Sequence, residues 1–474
     1  MADNLERTLN WKQGLAIALG VPLLILPSIG TFATYLWAFA VIAWGLSVLQ
    51  GFLQNMAYGE LATAFPNASG LPGFAQAVFG GENNRLGRFI GGFSAWGYWF
   101  AWNPVVAIYV ILIGDYLTGM IPALADIPPL FLSLGVGIIV IGALTLVNLR
   151  GATGGATLGY ILAFISLIPL FIICLAPFIT GDFHMENITG SFFPTDWSWD
   201  IAAVLIFLGI MATAQWSACA WETAAIYGPE YKNPKSDLPK ALFGCGIICL
   251  ITYVFVQFSV TGTLGIDGIM ANTISPLLPM AQMSLGSIGS VVIIIVLIAA
   301  MILIIQTGYN GSARSMYSMA AEGNLPSVLG KLTKNGIPLN AMIAIAVFNL
   351  FLITVFTVIG QGAAGPAAIL SASAIGYVFA NGISLAAYWK ASTDPKFKDL
   401  PRPFKAPKGW KFVAAVFAVL NIPFYLIGIL YLNSLDYGIG PVLLGFVVLA
   451  CFIPLWLWAR KEAGKKNEPS ASHR

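Results

Sequence analysis

A carboxylate stands deep inside an apolar run of this chain. Glu222 lies within 200–228, which leaves through a charged, proline-punctuated stretch, 227–240. An ionised carboxylate at the centre of a bilayer costs about 2.5 kcal/mol or more, so such groups serve a substrate or proton path unless a neighbouring helix holds them neutral by a hydrogen bond. Its surroundings, Gln215-Trp-Ser-Ala-Cys-Ala-Trp-Glu222-Thr, gather small and polar residues among bulky aliphatic ones. The first apolar run carries a second irregularity, Gly20-Val21-Pro22, followed by Pro27. Proline has no N–H and clashes with the preceding turn. The residues predict either a proline kink or a break there. Two breaks, in the first and sixth spans, are what a transporter with an internal inverted repeat uses to hold substrate at mid-membrane, with exposed helix ends offering N–H groups to an anion and C=O groups to a cation.

Further polar groups sit inside apolar runs: Tyr98, Trp99, Trp102, Asn103 and Pro104; Gln306, Thr307, Tyr309, Asn310 and Ser312; and Ser371, Ser373 and Tyr377. Interhelical hydrogen bonds, worth about 0.6 kcal/mol each on average, are the plain explanation. A central cavity lined by Asn103 and Gln306 is the functional one. Gly151-Ala-Thr-Gly-Gly155 reads as a helix-packing patch and not a phosphate loop.

The elements that must position these groups follow from composition. The chain has 474 residues, 58% hydrophobic and 9% charged, against about 25% charged in soluble domains. Apolar runs long enough to cross about 30 Å of hydrocarbon recur along its length. Twelve are expected, at 14–34, 36–63, 89–119, 129–149, 155–179, 199–228, 239–265, 285–319, 339–360, 363–389, 410–433 and 437–459. The first lacks a cleavage site and reads as a retained helix. All 23 lysines and arginines fall in alternate connections, and the remaining connections carry acids such as Asp126, Asp182, Glu186, Asp196, Asp267 and Asp436. The positive-inside rule then places both termini in the cytoplasm, in a cell inner (cytoplasmic) membrane. Asn187-Ile-Thr, in the longest outer connection, is a glycosylation acceptor only in a eukaryote. Five dispersed cysteines and two histidines in polar ends predict no disulfide framework, metal site or cofactor.

Four stretches resemble the amino acid–polyamine–organocation transporter superfamily. They are Tyr58-Gly-Glu60-Leu-Ala-Thr-Ala-Phe-Pro-Asn-Ala-Ser-Gly70 with Phe79-Gly80; Trp221-Glu222 through Lys240; 312–326; and Pro401-Arg-Pro-Phe-Lys-Ala-Pro407. The resemblance implies an all-α membrane fold of LeuT type, with a five-plus-five inverted repeat, broken helices 1 and 6, and two extra helices. It divides the chain into a cytoplasmic N-terminus (1–13), a first repeat (14–179), an extracellular loop (180–198), a second repeat (199–389), helices 11 and 12 with their preceding loop (390–459) and a cytoplasmic tail (460–474). Trp216 stands where the related bacterial exchangers carry a gating tryptophan, and Glu222 matches their span-6 glutamate, associated with proton-linked gating. Gly20, Val21 and Pro22 occupy their glycine-rich carboxylate cradle. The usual Gly-Ser-Gly is Gly-Val-Pro here, so Pro22 removes one donor and Val21 a hydroxyl. The glycine two before the glutamate is Ala220. A span-5 lysine of proton-coupled relatives has no counterpart near Ser166.

The functional expectation is a secondary active transporter, permease or antiporter, of an amino acid or related small amine, working by alternating access. Gly20 and Val21 would hold a carboxylate, and carbonyls near Ser217, Ala218 and Cys219 an ammonium. Trp216 would gate, and Glu222 would couple or gate. The alternative is a carboxylate-free, polyamine or methylated-amine substrate in an aromatic box of Trp99, Trp102, Trp216 and Trp221, where cation–π attraction suits a quaternary ammonium. From a different class, a receptor or sensor could share the fold. An enzyme needs a nucleophile with an activating partner or metal ligands, and no such cluster is evident. Expected partners are the small-molecule substrate, the lipid bilayer, and a coupling proton or counter-substrate. Sodium is less favoured, because Thr307, Ser312 and Ser315 are not adjacent. No nucleic-acid partner is expected.

Overall fold

The computed structural model describes residues 5–81, 84–218, 220–273, 275–359 and 364–467. Among the described residues the chain is helical, with two isolated bridges, Leu9 to Tyr231 and Gly81 to Asn84, and no strand. Eleven helices there are long and apolar enough to cross a membrane. The first span makes the twelfth crossing from shorter pieces: Trp11–Ala18, a 3-10 turn Val21–Ile25, and Ile29–Leu36. The chain reverses at Trp37, whose φ is 50°, before span 2, Ala40–Ala64. Apolar sequence runs unbroken from 29 to 64, so this reversal is decided by the backbone and not by hydropathy.

Span 3 is Arg85–Trp102 and Val105–Met120, interrupted at Asn103 and Pro104. Spans 4 and 5 are Pro129–Asn148 and Ala152–Thr180. Span 6 is an α-helix, Ile201–Ala218, followed by a 3-10 segment, Ala220–Glu230. Span 7, Pro234–Met270, and span 8, Leu277–Ala321, outrun their expected limits. Span 7 turns sharply near its C-terminal end, at Gly265, and span 8 near its N-terminal end, at Gly286, both with φ 64°. Only glycine takes that backbone without a Cβ penalty. Spans 9 and 10 are Leu339–Ile359 and Ala364–Thr393. Span 11 runs Trp410–Asp436 and loosens into a π-turn, Leu420–Tyr425, around Pro423. Span 12 is Ile439–Ala450 and Phe452–Asn467.

The outer faces are apolar, as a hydrocarbon solvent requires: Ile138, Ile139 and Leu146 on span 4 and Phe164 on span 5 are exposed. Inside, small residues let helices approach. A Cβ on Gly376 would lie 2.4 Å from the Gly97 carbonyl oxygen, so spans 3 and 10 touch backbone to backbone beside Tyr98 and Tyr377. Asn187 is turned inward and donates to the Gly262 carbonyl at 2.9 Å.

Candidate functional site

The break in span 1 is a tightened turn tied down from two sides. The helix Trp11–Ala18 stops, and the chain winds as 3-10 through Val21–Ile25 with Pro22 in its first turn. Breaking a helix orphans carbonyls, and three of them find side-chain donors. Thr307 on span 8 donates to Ile17 O (2.9 Å), Cys245 on span 7 to Ala18 O (3.5 Å), and Tyr253 on span 7 to Val21 O (2.9 Å). Gly20 is needed for this packing. A Cβ there would lie 2.4 Å from Thr307 Oγ1 and 3.0 Å from Leu303 O.

Span 6 breaks in a different way. Eleven residues, Ala220–Glu230, form 3-10 helix, and every one of them is buried. Runs beyond three or four residues are uncommon and mark hinges or strain. Tyr231 secures the segment by donating to Ala224 O at 3.1 Å. Glu222 lies two residues into it, with none of its surface exposed. Its Oε1 accepts from the Tyr98 hydroxyl at 3.3 Å, and its Oε2 accepts no hydrogen bond. Tyr377 of span 10 also faces the carboxyl. Spans 3, 6 and 10 therefore converge on one buried carboxyl flanked by two phenols. Trp216 packs beside them. Its indole donates to Ala101 O at 3.1 Å, and its ring lies 6.4 Å from that of Trp102.

Other expected residues are placed elsewhere. Asn103 turns to span 9: its Oδ1 accepts from Asn349 Nδ2 at 2.8 Å, and Asn349 Oδ1 accepts from the Ala107 N–H at 3.0 Å. Asn103 and Asn349 thus repair the interruption in span 3. Gln306 donates to Gly155 O at 2.6 Å, on span 5, next to a bond from Asn310 to Asn148 at 2.9 Å. The four tryptophans do not enclose one box. Trp99 stacks on Trp96 with centroids 4.2 Å apart, and Trp221 packs against Phe52 of span 2 at 5.2 Å. Only Trp102 and Trp216 meet. Ser217 caps its own helix through Thr213 O and Ala214 O. Ala218 and Ala220 are buried at the two sides of the break, and Cys219 lies outside the described residues. Ser312 and Ser315 are buried on span 8, and neither hydroxyl bonds to protein.

Beyond Glu222, a second set of contacts closes the face that carries the basic loops. Glu230, at the end of the 3-10 segment, takes a two-pronged bond from Arg314 of span 8, Nε at 2.5 Å and Nη2 at 3.2 Å. The guanidinium stacks on Tyr227 at 4.4 Å. Leu9 is clamped to the same point, donating to Glu230 O at 2.9 Å and accepting from Lys232 N at 2.7 Å. Sequence reading placed Arg314 only at a span end. Its partner could not be read, because 84 residues separate the two.

The amino acid permease family profile matches residues 9–453. The chain belongs to the amino acid permease family. It is similar to an uncharacterized amino acid permease of Bacillus subtilis, 27% identical over 306 residues, 62% of this chain and 63% of the relative. The lysine-specific permease LysP of Escherichia coli is 22% identical over 323 residues, 65% of this chain and 62% of that one. The polyamine transporter PUT1 of Oryza sativa subsp. japonica is 27% identical over 230 residues, 47% of this chain and 38% of that one. The chain thus spans less than two thirds of the length of these relatives. Among solved structures, a manganese transporter of Eremococcus coleocola, in complex with an aromatic bis-isothiourea compound, superposes with a TM-score of 0.61 at 14% identity, covering 98% of both chains. That likeness fixes the fold: a LeuT-type bundle with helices 1 and 6 broken, as the sequence led us to expect. Its eleven long apolar helices among the described residues make it a multi-pass membrane protein of that family.

Sequence reading missed the two phenols as partners of Glu222. A signal existed: Tyr98 and Trp102 are four residues apart, on one helical face. Nothing in the sequence marked Cys245 or Tyr253 as caps for the span-1 break.

Proposed function

We propose that this permease is a secondary active transporter of an amino acid or related small amine, working by alternating access in a cell inner membrane with both termini cytoplasmic. The observation that carries this reading is the Glu222 carboxyl, fully buried on a broken helix with one oxygen left free of hydrogen bonds. A buried carboxyl must take a proton or pair with a cation. At this place in the fold either event couples to movement of the 3-10 half of span 6. The first repeat is assigned to 14–179 and the second to 199–389, with 180–198 between them outside. Residues 390–459 hold the two added helices, and 1–13 and 460–474 are cytoplasmic ends. Trp216, locked to Ala101, gates the site. Gly20, Val21 and the carbonyls around Ser217 and Ala218 supply backbone groups to substrate. The coupling species is a proton at Glu222 or a counter-substrate.

A second reading, a carboxylate-free amine, is favoured by one observation. Pro22 removes an N–H at the span-1 turn, the kind of donor a substrate carboxylate needs. Recognition then centres on Glu222, Trp102 and Trp216. A thermal-stability screen of purified protein against α-amino acids, their decarboxylated amines and methylated amines tests both readings. A ligand at a hundredfold excess over its dissociation constant stabilises by about 2.7 kcal/mol. A shift with α-amino acids supports carboxylate recognition at span 1. A shift with amines alone supports the second reading. No shift with any of them, and no uptake into proteoliposomes, removes the proposal.

A further inference from the structure

A cavity of about 580 Å³ opens on the face that carries the basic loops, and Glu222 is not among its lining residues. The end of span 2, the short helix Leu71–Phe79 and the end of span 8 enclose it. Phe65, Ala77 and Ala321 give it apolar walls, and Gln76, Ser318 and Glu322 give it polar ones. Glu322 is the C-cap of span 8. Its Oε1 accepts from Ser318 at 3.3 Å, and its Oε2 is buried with no hydrogen-bond partner. Among the described residues no cationic group pairs with it: the two ion pairs there are Arg314 with Glu230 and Arg402 with Glu60. The neighbouring Arg460 donates instead to Asn324, and Asn324 donates to Gln76.

Two sources of negative potential meet in this cavity. One is the carboxyl once it is ionised, which its burial delays to about pH 8, and the other is the C-terminal end of a long helix, where aligned peptide dipoles leave about half a negative charge. Each favours a cation, and together they leave a carboxyl where an anion is least welcome. The apolar walls suit a short hydrocarbon. The geometry points to a binding site for a primary alkylammonium group, its nitrogen held by Glu322 and its chain against Phe65, Ala77 and Ala321. An occupant joins the end of span 2 to the end of span 8 and so holds this face closed. The site is separate from the Glu222 cluster and does not depend on which substrate the permease carries.

Calorimetric titration of the purified full-length protein above pH 8, where the Glu322 carboxyl is ionised, with n-butylammonium, and with 1-butanol as the uncharged control, tests the assignment. The expected result is binding of the amine and not of the alcohol. Glu322→Gln should weaken it about tenfold or more, the loss of a charge-assisted contact. Ala77→Leu, which fills the cavity and leaves the carboxyl in place, should weaken it to a similar degree, so the test survives if Glu322→Gln fails to fold. Glu222→Gln should retain the binding, which separates this site from the central one. Absence of amine binding to the unmutated protein, undiminished binding in Ala77→Leu or in a folded Glu322→Gln, or loss of binding in Glu222→Gln overturns the proposal.

Discussion

The Glu230–Arg314 pair gives the sharpest quantitative test of how this permease stays closed on its basic-loop face. Both side chains are nearly excluded from solvent, 8% exposed for Arg314 and 6% for Glu230. Glu230→Gln leaves the guanidinium buried without its counter-charge. Removing one member of a buried pair costs about 3–5 kcal/mol, because the remaining charge is uncompensated. Tyr227, 4.4 Å from the guanidinium, offsets part of that, about 0.5–2 kcal/mol. The remainder is about 3 kcal/mol, roughly a hundredfold shift away from the closed arrangement. Arg314→Met in the same protein removes the orphaned charge, and replacing a whole buried pair by apolar groups is often neutral. The double variant is therefore expected to be more stable than Glu230→Gln alone. Thermal unfolding reads the stability. Opening is read by the modification rate of a single cysteine placed at Ala225, which is buried beside the latch, in a background without the five native cysteines. Glu230→Gln should raise that rate strongly, and the double variant should bring back stability but not closure. Equal melting of the single and double variants, or unchanged labelling in Glu230→Gln, would refute the argument.

Three further outcomes are expected. Glu222→Gln should abolish or uncouple transport while the fold survives, since glutamine keeps the shape and its carbonyl can still accept from the Tyr98 hydroxyl, 3.3 Å from Oε1, a bond worth about 1 kcal/mol; full uptake with an unchanged pH profile in proteoliposomes removes Glu222 from the mechanism. Gly20→Ala should destabilise by about 1–3 kcal/mol, because its Cβ at 2.4 Å forces Thr307 Oγ1 off the Ile17 carbonyl. Adding Thr307→Ala should recover part of that loss, and a Gly20→Ala protein that melts like the parent defeats the packing argument. For Glu322, burial pushes the carboxyl up from 4.5 to about 8. The native state then keeps a proton that the unfolded chain gives up, so this group's contribution is full below pH 4.5 and is lost as pH rises to about 8. Melting temperature should decline across that window, and less steeply in Glu322→Gln; parallel declines in the two proteins contradict it.

How much of the site was legible depended on whether its signal was local. Glu222 could be found because a carboxylate in an apolar run is costly wherever the run folds. Gly20 and Pro22 could be found because they weaken a helix by their own covalent structure. Asn103 and Gln306 were equally visible, yet a polar side chain within a span does not disclose which neighbour it faces. The structure turns Asn103 to Asn349 and Gln306 to Gly155, where each serves packing. The tryptophans show the same limit. Four on spans 3 and 6 suggested one aromatic box, but Trp99 and Trp221 are carried to other surfaces by helix rotation.

The sequence by itself determined the membrane class, the set of apolar spans and two weak points, in spans 1 and 6, because hydropathy, charge alternation and proline act over a few turns of one helix. Tertiary structure decided what surrounds each break. Tyr98 and Tyr377 reach Glu222 from segments 124 and 155 residues away, and Thr307 and Tyr253 cap a turn 290 and 232 residues earlier. Such pairings depend on helix rotation and crossing, which glycine contacts such as Gly97 with Gly376 set and which no local pattern encodes.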